Sequence, residues 1–106
     1  MHVVSRKVLT DFCKRRRTAD ATALKAELDA WYYEAKHARW EAPADIKRKY
    51  RSASILQKRR VVFNICGNKY RIVVKVSYAK GRNKGVVYIR FVGSHAEYDE
   101  IDAQEV

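Results

Sequence analysis

A histidine followed three residues later by a tyrosine, His95 and Tyr98 in GSHAEYDEID, closes a basic stretch that carries Arg71, Lys75 and Arg90 on short apolar runs. Cleavage of RNA by its own 2′-hydroxyl calls for these residue types. It needs a proton acceptor for that hydroxyl, a proton donor for the 5′-oxygen leaving group, and cations for the crowded phosphorane. Imidazole titrates near neutrality and can give or take a proton, while Arg71, Lys75 and Arg90 would stabilise charge on phosphate oxygens. A lone histidine near a strand end also serves as a plain structural hydrogen-bonding residue. Residue types alone therefore leave a catalyst and a binder both open.

The surrounding charge narrows the choice of partner. From Ile46 to Ala96 the chain holds fourteen Lys or Arg and no Asp or Glu. Such a field is built to lie beside polyanion, and phosphate-backbone contact is its commonest cause. The footprint read from the sequence comprises Lys58, Arg59, Arg60, Lys69, Lys80, Arg82 and Lys84, with the Lys47 to Arg51 run continuous with its first members. With 106 residues, 47% of them apolar and a net charge of +11, the chain reads as one domain spanning 1–106 whose charge describes a folded surface. The last ten residues carry five acids and no base. They either lie back over the basic face or form a solvated end, and the expectation is the solvated end.

Other classes are set aside on composition. Cys13 and Cys66 fit no metal-ligand or disulfide spacing, so no metal or other cofactor is expected. Mg²⁺ requires oxygen ligands, and the basic block offers no acidic one. No apolar run approaches the roughly 18 residues of a membrane span, and no secretory signal is present; the chain reads as cytoplasmic and reduced.

Periodicity places these residues on an α+β frame with a helical first half and a strand-rich second half. A short strand is expected at His2 to Ser5. Val8, Leu9, Phe12 and Cys13 predict a first helix ending in the basic run Lys14 to Arg17. Leu24, Leu28, Trp31 and Ala35 predict a second from about Asp20 to His37, and Pro43 opens a third carrying Ile46 and Tyr50. Three β-runs follow the join at residues 51 to 58: Arg60 to Cys66, Tyr70 to Tyr78 and Val86 to Val92. Gly67-Asn68 and the longer AKGRNKG loop, 79–85, make them a three-stranded meander. Val61, Phe63, Ile65, then Tyr70, Ile72, Val74, Val76, Tyr78, then Val87, Ile89, Phe91 should pack beneath the helices. Asn64, Arg71, Val73, Lys75, Ser77, Tyr88 and Arg90 would line the opposite, open and concave face. Gly93 is read as supplying backbone freedom at the strand end.

VVFNICGNKYRIVVKV, VVYIRFVGSHAEYDEID and the upstream ARWEAPADIKRKY together resemble the HigB family of bacterial type II toxins, within the RelE superfamily of messenger-RNA interferases. SRKVLTDF and WYYEAKHARW fit the family's two helices, so the likeness spans nearly the whole chain. The resemblance implies a RelE-like small sheet, antiparallel-rich, with helices on one face. It also implies ribosome-dependent mRNA cleavage and inhibition by a cognate HigA-type helix-turn-helix antitoxin.

Carried over by position, the resemblance makes His95 a general acid or base, helped by Tyr98. Arg71, Lys75 and Arg90 hold and polarise the scissile phosphate. Asn68 serves the turn, and Asn64 orients a neighbour. Members of the superfamily do not share one catalytic set, so which group is the base stays open. The 79–85 loop, longer than in many relatives, either adds contacts to ribosomal RNA or is a tolerated insertion. Trp31, Tyr32, Trp40 and Tyr50 could stack on bases, although helical spacing assigns Trp31 to the core. The reading is a metal-independent endoribonuclease acting on mRNA in the ribosome. The alternative is a non-catalytic basic module that binds RNA or DNA.

Overall fold

The computed structural model describes residues 1–16 and 18–106. A short strand β1 (His2–Val4) precedes helices α1 (Arg6–Arg15), α2 (Ala21–His37) and α3 (Pro43–Lys49). Strands β2 (Ser54–Ile55), β3 (Arg60–Ile65), β4 (Tyr70–Ser77) and β5 (Val86–Ser94) follow, and a five-residue helix α4 (His95–Asp99) continues directly from β5. The strands form one sheet in the order β1-β5-β4-β3-β2, in which β1 runs parallel to β5 and the other pairs are antiparallel. The α+β expectation and the meander are thus observed. The join contributes a two-residue edge strand, and α4 is a helix that periodicity did not indicate. Of the basic run ending α1, Arg17 lies outside the described residues.

The helices form where their apolar spacing says they should. Leu24, Leu28, Trp31 and Ala35 of α2, Leu9 and Phe12 of α1 and Ile46 of α3 are all buried. At the start of α3, Pro43 needs no amide partner, and the Asp45 carboxylate accepts from the N–H groups of Glu41 (2.9 Å) and Ala42 (3.3 Å). The helices cover one sheet face, where Trp31 and Tyr50 meet Phe63 edge-on and Trp40 stacks on it, with centroids 5.3, 5.0 and 5.9 Å away. Burial of each such ring stabilises the fold by about 1.5–3 kcal/mol. Trp31 and Trp40 therefore have no free face for bases. Tyr50 is half-buried with its hydroxyl given to Glu34, and Tyr32 lies under Arg6.

The faces of β3 and β4 follow the expected alternation, but β5 departs from it. A bulge between Val73 and Val74 pairs Val73 with Phe91 and Val74 with Ile89, leaving Arg90 unpaired. One extra residue inverts the alternation beyond it. Phe91, expected in the main core, crosses to the outer face, and Val92 takes its place against the helices.

The outer face is not the open surface expected, nor is the C-terminal segment a solvated end. Residues 100–106 fold back over β3 and β4, and Ala103 is buried against Val62 and Val73, flanked by Phe91, Tyr98, Ile101 and Val106. Leaving Val62 and Val73 in water would be costly. The strap also matches charge, because Glu105 pairs with Lys58, and Arg60 donates to the Val106 main-chain oxygen from Nη2 (2.6 Å) and Nε (3.0 Å).

Candidate active site and nucleic-acid interface

The end of β5 brings His95 and Arg71 into one neighbourhood. Register pairs Tyr70 with Ser94 and Arg71 with Gly93, and the His95 N–H donates to Lys69 O at 2.8 Å. Ser94 then caps α4: its hydroxyl accepts from the Glu97 N–H (3.2 Å), while Glu97 Oε1 accepts from the Ser94 N–H (2.8 Å). This reciprocal cap starts the helix at His95 and places Tyr98 on its next turn. The Tyr98 ring lies 5.7 Å from the Arg71 guanidinium carbon. Gly93 is needed here for space and not for backbone freedom, since a Cβ there would come within 2.5 Å of the Phe91 ring and 3.2 Å of Glu97 Cβ.

Arg71 is 8% exposed, the one charged side chain counted as buried among the described residues. Its Nη1 donates to Asn68 O (2.8 Å) and Tyr70 O (3.4 Å), so the guanidinium points toward the β3–β4 turn. Among the described residues no carboxylate pairs with it, and its other N–H groups meet no protein acceptor. His95 stays half exposed, with Nδ1 3.6 Å from Asp99 Oδ1 one turn on.

Lys75 and Arg90 belong to a second group. Lys75 lies between Arg60 and Tyr88 in a row across the sheet, and Arg90 lays its guanidinium 5.6 Å from the Tyr88 ring centre. Four residues of extended strand put Lys75 about 13 Å from Arg71 along β4. Between them is Val73, fully buried beneath the C-terminal strap. The five residues expected to form one site therefore divide into His95, Tyr98 and Arg71 at one end and Lys75 with Arg90 further along.

A family model described as HigB toxin, the RelE-like toxic component of a toxin-antitoxin system, matches residues 24–101. The chain belongs to this HigB toxin family. It is accordingly a toxin of a toxin-antitoxin system, and an antitoxin is its partner. A search of curated proteins finds no match. The matched span contains both residue groups and all of α4, whereas β1 and α1 lie outside it.

The wider basic surface of this HigB-family toxin is likewise uneven. Lys58 and Arg60 are engaged by the strap, and Lys69 is 3.9 Å from Asp20. Arg59 is exposed beside Lys58 in the β2–β3 turn, both with left-handed backbone (φ 61 and 56), and its carbonyl accepts from the Val76 N–H at 2.9 Å. That turn abuts the 79–85 loop, so Arg59 and Lys80 line one shallow cleft with Glu41, Ser77 and Tyr78. The loop is braced: Lys80 and Asn83 exchange main-chain hydrogen bonds at 2.9 Å, and Arg39 Nη2 donates to Gly81 O at 2.8 Å. Lys80, Arg82 and Lys84 all face solvent, beyond the end of β4 remote from His95.

Some groups were placed correctly by sequence and others were missed. Asn68 serves the turn through its carbonyl, and Asn64 Nδ2 donates to Ser52 O at 3.2 Å. Sequence reasoning did not single out Ser94, Glu97 or Asp99, although Ser94–His–Ala–Glu97 has capping-box spacing and His95 and Asp99 stand four apart. Arg16 was seen only as one member of a basic run, yet its guanidinium pairs with Glu97. Glu97 is held below the usual carboxylate range, first by the Ser94 main-chain N–H, with the Ser94 hydroxyl and Arg16 adding to it.

Proposed function

We propose that this toxin is a metal-independent, ribosome-dependent endoribonuclease that cleaves translated mRNA, held in check by a HigA-type antitoxin and acting in the cytoplasm as a single domain. The observation that carries the reading is Arg71: a buried guanidinium without a carboxylate partner, against the Tyr98 ring, at the strand end from which His95 follows. Keeping an unpaired cation out of water is costly, and a phosphate would supply the missing charge.

In this mechanism the 2′-oxygen attacks phosphorus as a base removes its proton. The bond to the 5′-oxygen then breaks, and an acid protonates that leaving oxygen. His95 gives or takes one of these protons, and Tyr98 holds Arg71 and lies within reach of the same phosphate. Arg71 stabilises charge on the non-bridging oxygens as the phosphorane forms. Lys75 and Arg90, displaced along the strand with Arg60 and Tyr88, bind neighbouring phosphates and orient the message. Arg59, Lys80, Arg82 and Lys84 extend the footprint toward ribosomal RNA, joined by Lys58 and Arg60 where the C-terminal strap gives way and by Lys69 where Asp20 does.

The test is brief induction of wild type beside His95→Ala, with growth recorded and new 5′ ends mapped in translated messages. Arrest with codon-phased cuts in wild type only supports the reading. Growth without cuts in either would favour the binding module instead.

A further inference from the structure

We propose that Arg16 is a positioning residue that clamps α4 to the rest of the fold through Glu97, and thereby fixes His95 and Tyr98; its effect on cleavage rests on the endonuclease reading above. A five-residue helix is far too short to persist by itself, so α4 requires restraint from outside. Arg16 supplies it from the end of α1. Its Nη2 reaches Glu97 Oε1, the same oxygen that accepts from the Ser94 N–H at 2.8 Å, so one carboxylate oxygen ties the α4 cap to α1.

The arginine is itself held in place. Its guanidinium carbon lies 4.7 Å from the Phe12 ring centre and 5.8 Å from that of Tyr70, and the side chain is only 26% exposed. Tyr70 in turn donates to both carboxylate oxygens of Asp20 at 3.1 Å, and its main chain pairs with Ser94. The planar group thus rests on two fixed rings while meeting a carboxylate, a combination lysine cannot reproduce. With its cation engaged this way, Arg16 is separated in role from the solvent-facing Lys80, Arg82 and Lys84.

The experiment compares Arg16→Ala, Arg16→Lys, Glu97→Gln and the Arg16→Ala/Glu97→Gln pair with wild type. Hydrogen exchange is read first, on the free protein, at the Ser94 and Glu97 amides. Arg16→Ala should accelerate exchange there by about fivefold, Arg16→Lys should do so less, and the double variant should not exceed Glu97→Gln appreciably. Unchanged exchange in Arg16→Ala, or effects that add in the double variant, would overturn the clamp. On ribosomes Arg16→Ala should lower the single-turnover rate at saturation while leaving half-saturation unchanged. Weakened half-saturation with an unaltered maximal rate would also overturn the proposal, because Arg16 would then be an RNA contact. Absence of any cutting by wild type on ribosomes would refute the endonuclease assignment alone, since exchange does not depend on catalysis.

Discussion

Arg71→Met separates a group kept for function from one kept for the fold. The substitution removes the 2.8 Å bond to Asn68 O, the longer contact with Tyr70 O and the stack beneath Tyr98. A charge-assisted hydrogen bond contributes about 1.5–3 kcal/mol, and the guanidinium–tyrosine contact about 1 kcal/mol. Opposing these is the desolvation of a cation at 8% exposure, which costs several kcal/mol and disappears with the charge. Methionine retains much of the apolar stem, so the opposing terms nearly cancel. Urea unfolding should then shift by no more than about 1 kcal/mol. Single-turnover cleavage on programmed ribosomes should fall by about 10²–10³, the loss expected when a charge-stabilising donor leaves a transition state. A loss above about 3 kcal/mol in stability, with normal cleavage by the folded fraction, would refute the reasoning and make Arg71 a structural brace.

Three further outcomes follow from particular contacts. Reversing charge at Lys80, Arg82 and Lys84 should weaken ribosome association and flatten its salt dependence; an unchanged slope in a binding titration would remove the loop from the footprint. Ala103→Asp would set a carboxylate against Val62 and Val73 and should lower stability in thermal unfolding by about 2 kcal/mol or more, whereas a solvated C-terminal segment would tolerate it. Glu97 is ionised in the native cap with its pKa below the ordinary 4.5, chiefly through the Ser94 N–H. Its contribution is fully present above that ordinary value and is lost as pH falls through the lower native one. Exchange at the Ser94 amide, corrected for intrinsic rates, should reveal this loss in wild type and not in Glu97→Gln.

The frame was legible because its signals are local. Leu24, Leu28, Trp31 and Ala35 mark one face of α2, and Tyr70, Ile72, Val74 and Val76 mark one face of β4. The bulge at Arg90 was not legible, since nothing in VVYIRFV says where period two breaks; Phe91 and Val92 exchanged faces as a result. The strap left a signal that charge obscured. Val62 and Val73 are apolar on a face otherwise holding Asn64, Arg71 and Lys75, and Ile101, Ala103 and Val106 recur among the acids that cover them. At the candidate site, the sequence joined Arg71 to Tyr98, which lie together, and to His95, which follows the strand paired with Arg71. It also joined Lys75 and Arg90 to them, because side-chain types carry no measure of distance along a strand.

The central claim is that His95 takes part in cutting ribosome-bound mRNA. Purified wild type and His95→Ala should therefore be compared on programmed ribosomes, with matched folding and ribosome binding established and the cleavage rate and 5′ ends recorded. Wild type should release fragments at defined codon positions, and His95→Ala should bind equally well while losing about 10²–10⁴ of the rate, the contribution of a positioned proton-transfer group. Equal rates for the two proteins would contradict that claim.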